Sequence, residues 1–150
     1  MALHSAVNCP QNKAIIAESA TIINEEITQQ GIRNAEKMWS KPDQFSKLQK
    51  YHFLNASRVL RAWIDTWLSP DFAHWNMKDI LPDIQPPVLI LHGDRDEFTS
   101  LDGPLSIHKS VSGRSELQIL KHLGHVPHRE NAGLILDLTA DFLKRLFPEN

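Results

Sequence analysis

The rhythm of apolar positions changes several times along the chain. Val88-Leu-Ile-Leu91 is an uninterrupted apolar run, opened by Pro86-Pro87 and closed by Gly93. Such a short, non-alternating run predicts a strand covered on both faces. Prolines are tolerated at its start because the hydrogen-bond ladder begins after them. Ser115-Glu-Leu-Gln-Ile-Leu120 alternates weakly and predicts a second strand, closed by Gly124, and Lys13-Ala-Ile-Ile-Ala17 predicts an earlier one. Gly103 to Val111 predicts a helix with Pro104 placed as a first helical residue. Leu134, Leu138, Phe142 and Leu146 then recur at helical spacing, with Ile135 and Leu143 widening the stripe. Strand, helix, strand, helix implies right-handed parallel crossovers and an α/β fold.

The segment from Ala20 to Asp83 follows another pattern. It holds all four tryptophans (Trp39, Trp63, Trp67, Trp75) and no strand-like run. Val59, Leu60, Trp63, Ile64, Trp67 and Leu68 form a wide helical stripe that stops at Ser69-Pro70. Asp71 is placed to cap a further helix carrying Phe72, Trp75 and Met77. Earlier, Ile22, Ile23 and Ile27 make a stripe ended near Gly31, and Ile32, Ala35, Met38 and Trp39 make another before Pro42. The chain therefore reads as a core formed by residues 1–19 and 84–150, interrupted by a helical insertion at 20–83. Aromatic stripes at helical spacing are usually packing, and most of the tryptophans are read so, with pocket walls as the alternative. Arg33 to Arg61 carries seven basic residues against Glu36 and Asp43. That is a solvated helix face, with recognition of a substrate carboxylate as the alternative.

Candidate chemistry falls where parallel sheets collect it, just past the carboxyl ends of strands. Asp96 follows the Val88 strand and His125 follows the Ser115 strand. Alone, an aspartate in an acid-rich turn or a histidine after a glycine means little. In this order, with a helix between, they form a carboxylate–imidazole pair. Pro86-Pro-Val-Leu-Ile-Leu-His-Gly-Asp-Arg-Asp96 and Gly124-His125 resemble the carboxyl-terminal part of the α/β-hydrolase family, over Lys13 to about Phe147. The order of motifs is similar to the lidded branch that includes valacyclovir-hydrolase-like and meta-cleavage-product hydrolases. The resemblance implies about three parallel strands with flanking helices and a lid at 20–83. It implies that Asp96 orients the imidazole and that His125 acts as general base and then acid. It also implies small acyl substrates, cleaved at an ester, amide or C–C bond, without a metal or organic cofactor.

The family's nucleophile occupies a Gly-x-Ser-x-Gly elbow. The glycines here are Gly31, Gly93, Gly103, Gly113, Gly124 and Gly133, no two of them four positions apart. The elbow is absent from these residues, and Met1 to Pro10 reads as the rest of the helix that would follow it. The expectation is a chain that enters the fold after the nucleophile and is inactive alone. It would be completed by an amino-terminal half or would self-associate through the apolar edge of Lys13 to Ala17. A non-catalytic binding or assembly module, or a truncated product without independent function, is the alternative. Ser19, in Ala17-Glu-Ser-Ala-Thr21, is a reserve nucleophile. It is weakened by β-branched Thr21, where a second glycine would relieve crowding. Glu18 is the reserve acid, since some family members place the acid after this strand.

Composition narrows the partners. With 41% hydrophobic and 23% charged residues in 150, this is one domain or the larger part of one. A net charge of −2 gives no electrostatic basis for binding nucleic acid. No apolar stretch is long enough to span a membrane, and the amino terminus lacks a signal-type core, so the expected location is cytoplasmic. Cys9, the single cysteine, excludes an internal disulfide and beside Pro10 reads as packing. His122, His125 and His128 have a suggestive spacing for a metal. Gly124 and Pro127 break the helix that would align them, and no Cys or carboxylate set completes a site.

Overall fold

The computed structural model describes residues 2–9 and 11–148. Met1, Pro10, Glu149 and Asn150 lie outside the described residues, and with them both ends of the amino-terminal segment read as helical. Three parallel strands, β1 (Ile15–Glu18), β2 (Val88–Gly93) and β3 (Ser115–Leu120), form one sheet in that order. Ile15 lies opposite Val88, and Val88 opposite Ser115. The helices are α1 (Ala2–Asn8), α2 (Glu26–Trp39), α3 (Pro42–His52), α4 (Ala56–Trp67), α5 (Asp102–Ser110), α6 (Pro127–Glu130) and α7 (Ala132–Leu146).

The central place of β2 explains its unbroken hydrophobicity, for all six of its residues are buried. Side chains alternate across a strand, so one run supplies two cores. Val88 and Ile90 join Leu3 and Ala6 of α1, Ile15 and Ala17 of β1, and Ile107 of α5. Leu89 and Leu91 join Leu120 and, from α7, Ile135 and Phe142. The outer edge of β1 has no strand partner among the described residues. Pro104 is the third residue of α5, which starts at Asp102. The first turn of a helix leaves its N–H groups unused, so a proline anywhere in it costs no hydrogen bond.

The chain divides into two compact units, Met1–Ile23 with Asn76–Asn150, and Asn24–Trp75. The sequence pattern drew the joints at 19/20 and 83/84. Residues between the two sets of joints are held to the sheet unit. Met77 N–H donates to Ile22 O at 2.8 Å, Ile23 bridges Asn76, and Ile22, Leu81 and Ile84 are fully buried in its core. Neither isoleucine is helical: Ile22 lies outside any regular element and Ile23 forms the isolated bridge to Asn76.

Two helix boundaries in the second unit differ from expectation. Gly31 lies inside α2 and does not end it, so Ile27 of the first expected stripe shares one helix with Ile32, Ala35, Met38 and Trp39. A single interior glycine costs about 1 kcal/mol, too little to break a helix that buries Ile32 and Ala35 beyond it. Asp71 is not a cap: Ser69 Oγ accepts from Phe72 N–H at 3.2 Å, and Pro70–Phe72 is a single turn of 3₁₀ helix. The aromatic rings close on one another. Phe72 stacks on Trp75 at 5.0 Å, and Trp67 meets both edge-on at 5.1 and 5.4 Å. Asn24, 7% exposed, ties this cluster, its side-chain amide donating to Trp67 O at 3.0 Å and Phe72 O at 2.8 Å. Asn24→Ala strands both carbonyls and is expected to cost about 1–3 kcal/mol. Urea titration followed by tryptophan fluorescence checks this, and an unchanged midpoint would refute it.

Candidate active site

The site forms where β2 and β3 release the chain at their carboxyl ends. After Gly93 a tight turn brings Asp96 N–H to Gly93 O at 3.2 Å. The carboxylate then points back over its own loop, where Oδ1 accepts from Phe98 N–H at 2.8 Å and Thr99 N–H at 3.1 Å. This is the local turn that aspartate favours, its side chain replacing a backbone acceptor. The Asp96 side chain is 1% exposed.

His125 arrives from the turn after β3, and that turn is fastened at several points. Arg95 N–H donates to Leu123 O at 2.9 Å, and His122 N–H donates to Asp94 Oδ1 at 2.6 Å. Gly124 N–H donates to both oxygens of Glu130, at 3.1 and 3.0 Å. His125 Nδ1 consequently lies 3.0 Å from Asp96 Oδ1 and 2.9 Å from Oδ2. An ionised carboxylate only accepts, so Nδ1 carries the proton and Nε2 keeps the lone pair. The Phe98 ring tilts against the imidazole at 4.8 Å, and the His125 side chain stays 30% exposed.

Electrostatics binds the pair more tightly. Burial pushes the Asp96 carboxyl up, but hydrogen bonds from His125 and the Phe98 N–H, with imidazole charge at His125 and His92, hold it below the usual carboxylate range. Burial pushes the His125 imidazole down. The hydrogen bond and charge of Asp96 outweigh that, helped by Glu97 and Glu18, and the imidazole is raised. Each partner stabilises the charged form of the other.

The reserve residues are placed differently. Glu18 accepts from His128, at 2.8 Å from the backbone N–H and 3.0 Å from Nδ1, and makes no hydrogen bond to His125. It anchors the first turn of α6, which follows His125 closely. Ser19 leaves β1 with φ of 44° and donates its N–H to Leu91 O at 2.9 Å. Its hydroxyl is buried without a hydrogen-bond partner, so no base reaches it. The three imidazoles at 122, 125 and 128 face Arg95, Asp96 and Glu18 respectively. Arg61, the last of the basic run, is paired with Glu36 and Asp65.

Phe98, Thr99 and Glu130 also belong to the site, and the sequence reading missed them. Nothing in their spacing marks them, since each acts through a turn whose path is decided elsewhere. Gly124 was read as the residue that closes the second strand. No glycine among the described residues has positive φ, and a Cβ at Gly124 would press only on the carboxylate ends of Glu130 and Glu97, at 3.1 and 3.3 Å. The demanding position is Gly93, where a Cβ would lie 2.2 Å from Leu123 O and 2.3 Å from Gly124 O.

No protein-family model matches the chain, and no curated protein does. Solved structures do. A putative lipase from Acinetobacter baumannii superposes with a TM-score of 0.73 at 18% identity, over 97% of this chain and 57% of its own. A serine hydrolase involved in carbazole degradation gives 0.68 at 15%, over 95% and 58%. The meta-cleavage product hydrolase of Pseudomonas fluorescens gives 0.64 at 15%, over 96% and 60%. The chain thus spans less than two thirds of the length of these structures, all of them hydrolases. Its three parallel strands, flanking helices and coverage give it the α/β-hydrolase fold, in the carboxyl-terminal part.

Proposed function

We propose that this chain supplies the acid and the histidine of a serine-hydrolase mechanism acting on small acyl substrates at an ester, amide or C–C bond. One observation carries the reading: His125 Nδ1 lies 2.9 Å from a sealed Asp96 carboxylate while the imidazole remains partly open. In this scheme Asp96 fixes the tautomer and stabilises the imidazolium. His125 Nε2 takes the proton of an attacking hydroxyl and returns it to the leaving group. The hydroxyl would come from a Gly-x-Ser-x-Gly elbow, which these 150 residues do not contain. Asp96, His125 and such an elbow would need no metal or organic cofactor.

The chain alone is therefore expected not to hydrolyse p-nitrophenyl acetate above a His125→Ala control, because His125 has no hydroxyl to activate. A fluorophosphonate adduct on Ser19 would overturn this and make the chain a self-sufficient enzyme. The positive test is a chimera carrying the amino-terminal part of a structurally similar hydrolase, through its nucleophile elbow. Probe labelling of the elbow serine should be lost on His125→Ala. Labelling indifferent to that substitution would remove the acid–histidine role.

A further inference from the structure

We propose that His92 is a positioning residue for the Asp96–His125 pair, acting through Thr99. The inference rests on the acid–histidine reading above and deepens it. β2 is aliphatic from Val88 to Leu91, and His92 lies on the same face as Val88 and Ile90. The imidazole is 1% exposed. Burying a polar ring in an aliphatic strand is unfavourable unless its hydrogen bonds are made, so its partners show what the position gains.

His92 Nε2 lies 3.2 Å from Thr99 O and 3.8 Å from Asp96 Oδ2. A carbonyl only accepts, so Nε2 carries the proton and donates to Thr99. Thr99, 2% exposed, is held from three sides. Its carbonyl accepts a hydrogen bond from His92 Nε2–H, its N–H donates to Asp96 Oδ1 at 3.1 Å, and its hydroxyl shares a hydrogen bond with Thr21 Oγ1 at 2.8 Å. The loop that aims the carboxylate is thus clamped from beneath by β2 and laterally by the segment leaving β1. With the clamp in place, Asp96 has one orientation available to receive His125. Without it, Thr99 O is a buried acceptor lacking its donor, and the loop must move to satisfy it.

Histidine-selective NMR on the whole chain tests this. In the unsubstituted protein His92 should carry a ring proton on Nε2, facing Thr99 O, and His125, facing Asp96, Glu97 and Glu18, should titrate above the ordinary imidazole range. His92→Phe keeps the ring volume and removes the donor. It should lower the His125 midpoint by about half a pH unit or more and weaken the downfield Nδ1–H signal. His92→Gln, whose amide nitrogen reaches the place of Nε2, should restore both, whereas His92→Asn should not. A folded His92→Phe variant with an unchanged His125 titration would overturn the inference, as would an Nδ1–H tautomer at His92. The tautomer needs no variant and decides the matter even where His92→Phe does not fold. An ordinary titration of His125 in the unsubstituted chain would instead overturn the acid–histidine reading itself.

Discussion

Gly93→Ala is expected to remove about 3 kcal/mol or more of stability, above the usual penalty for an added methyl group in a packed site. The new Cβ would fall 2.2 Å from Leu123 O, 2.3 Å from Gly124 O and 2.6 Å from Leu123 C. All three are backbone atoms, so no side-chain rotation relieves the overlap. The turn that delivers His125 must lift away from β2, which breaks the bond from Arg95 N–H to Leu123 O. Stability and site geometry should therefore fail together. Urea unfolding gives the first and the Nδ1–H resonance of His125 the second. A variant that unfolds at the original midpoint with that resonance intact would show that the turn yields freely. Gly124→Ala should cost less stability than Gly93→Ala, since its Cβ would press on side-chain carboxylate oxygens at 3.1 and 3.3 Å rather than on backbone at 2.2 Å.

Asp96→Asn should flatten the dependence of stability on pH, and the direction follows from the two shifts. The Asp96 carboxyl is held below its ordinary value, so its contribution is present above the unfolded pKa of about 3.9 and is lost as pH falls through the folded value. The His125 imidazole is raised, so its contribution is full below the unfolded pKa of about 6.5 and is lost as pH rises through the folded value. The unsubstituted chain should accordingly be most stable between those limits and weaken on both sides. The substituted amide retains an oxygen for Phe98 and Thr99 N–H but no charge for His125. The loss should reach about 1–3 kcal/mol near pH 5 and shrink above pH 8. Midpoints of unfolding measured from pH 3 to 9 decide it. A profile parallel to that of the unsubstituted chain would mean that the pair contributes no linked protons.

Much of the framework is legible without coordinates because its causes are local. An apolar run needs no partner to declare itself, so Val88 to Leu91 and Ser115 to Leu120 read as strands and are strands. The stripe from Leu134 to Leu146 reads as a helix for the same reason, and α7 runs Ala132–Leu146. The order of Asp96 and His125 along two neighbouring parallel strands carries most of the site, since the ends of such strands lie side by side. Local reading fails where local propensity is outweighed, as at Gly31, where burial on both sides holds α2 together across a weak helix former.

The sequence by itself determined which residues form the sheet, which two carry a carboxylate and an imidazole to its edge, and that no glycine-flanked serine accompanies them. Only the tertiary structure decided how that pair is held. Glu18 meets His128 across 110 positions, Thr21 meets Thr99 across 78, and Arg95 meets Leu123 and His122 across the gap between two strands. Contacts at such separations leave no periodicity behind, because each depends on where two loops cross rather than on the repeat of either. The same holds for Gly93, which closes a strand in any reading of the chain. It is indispensable only because the backbone of another turn passes within contact distance of its α-carbon.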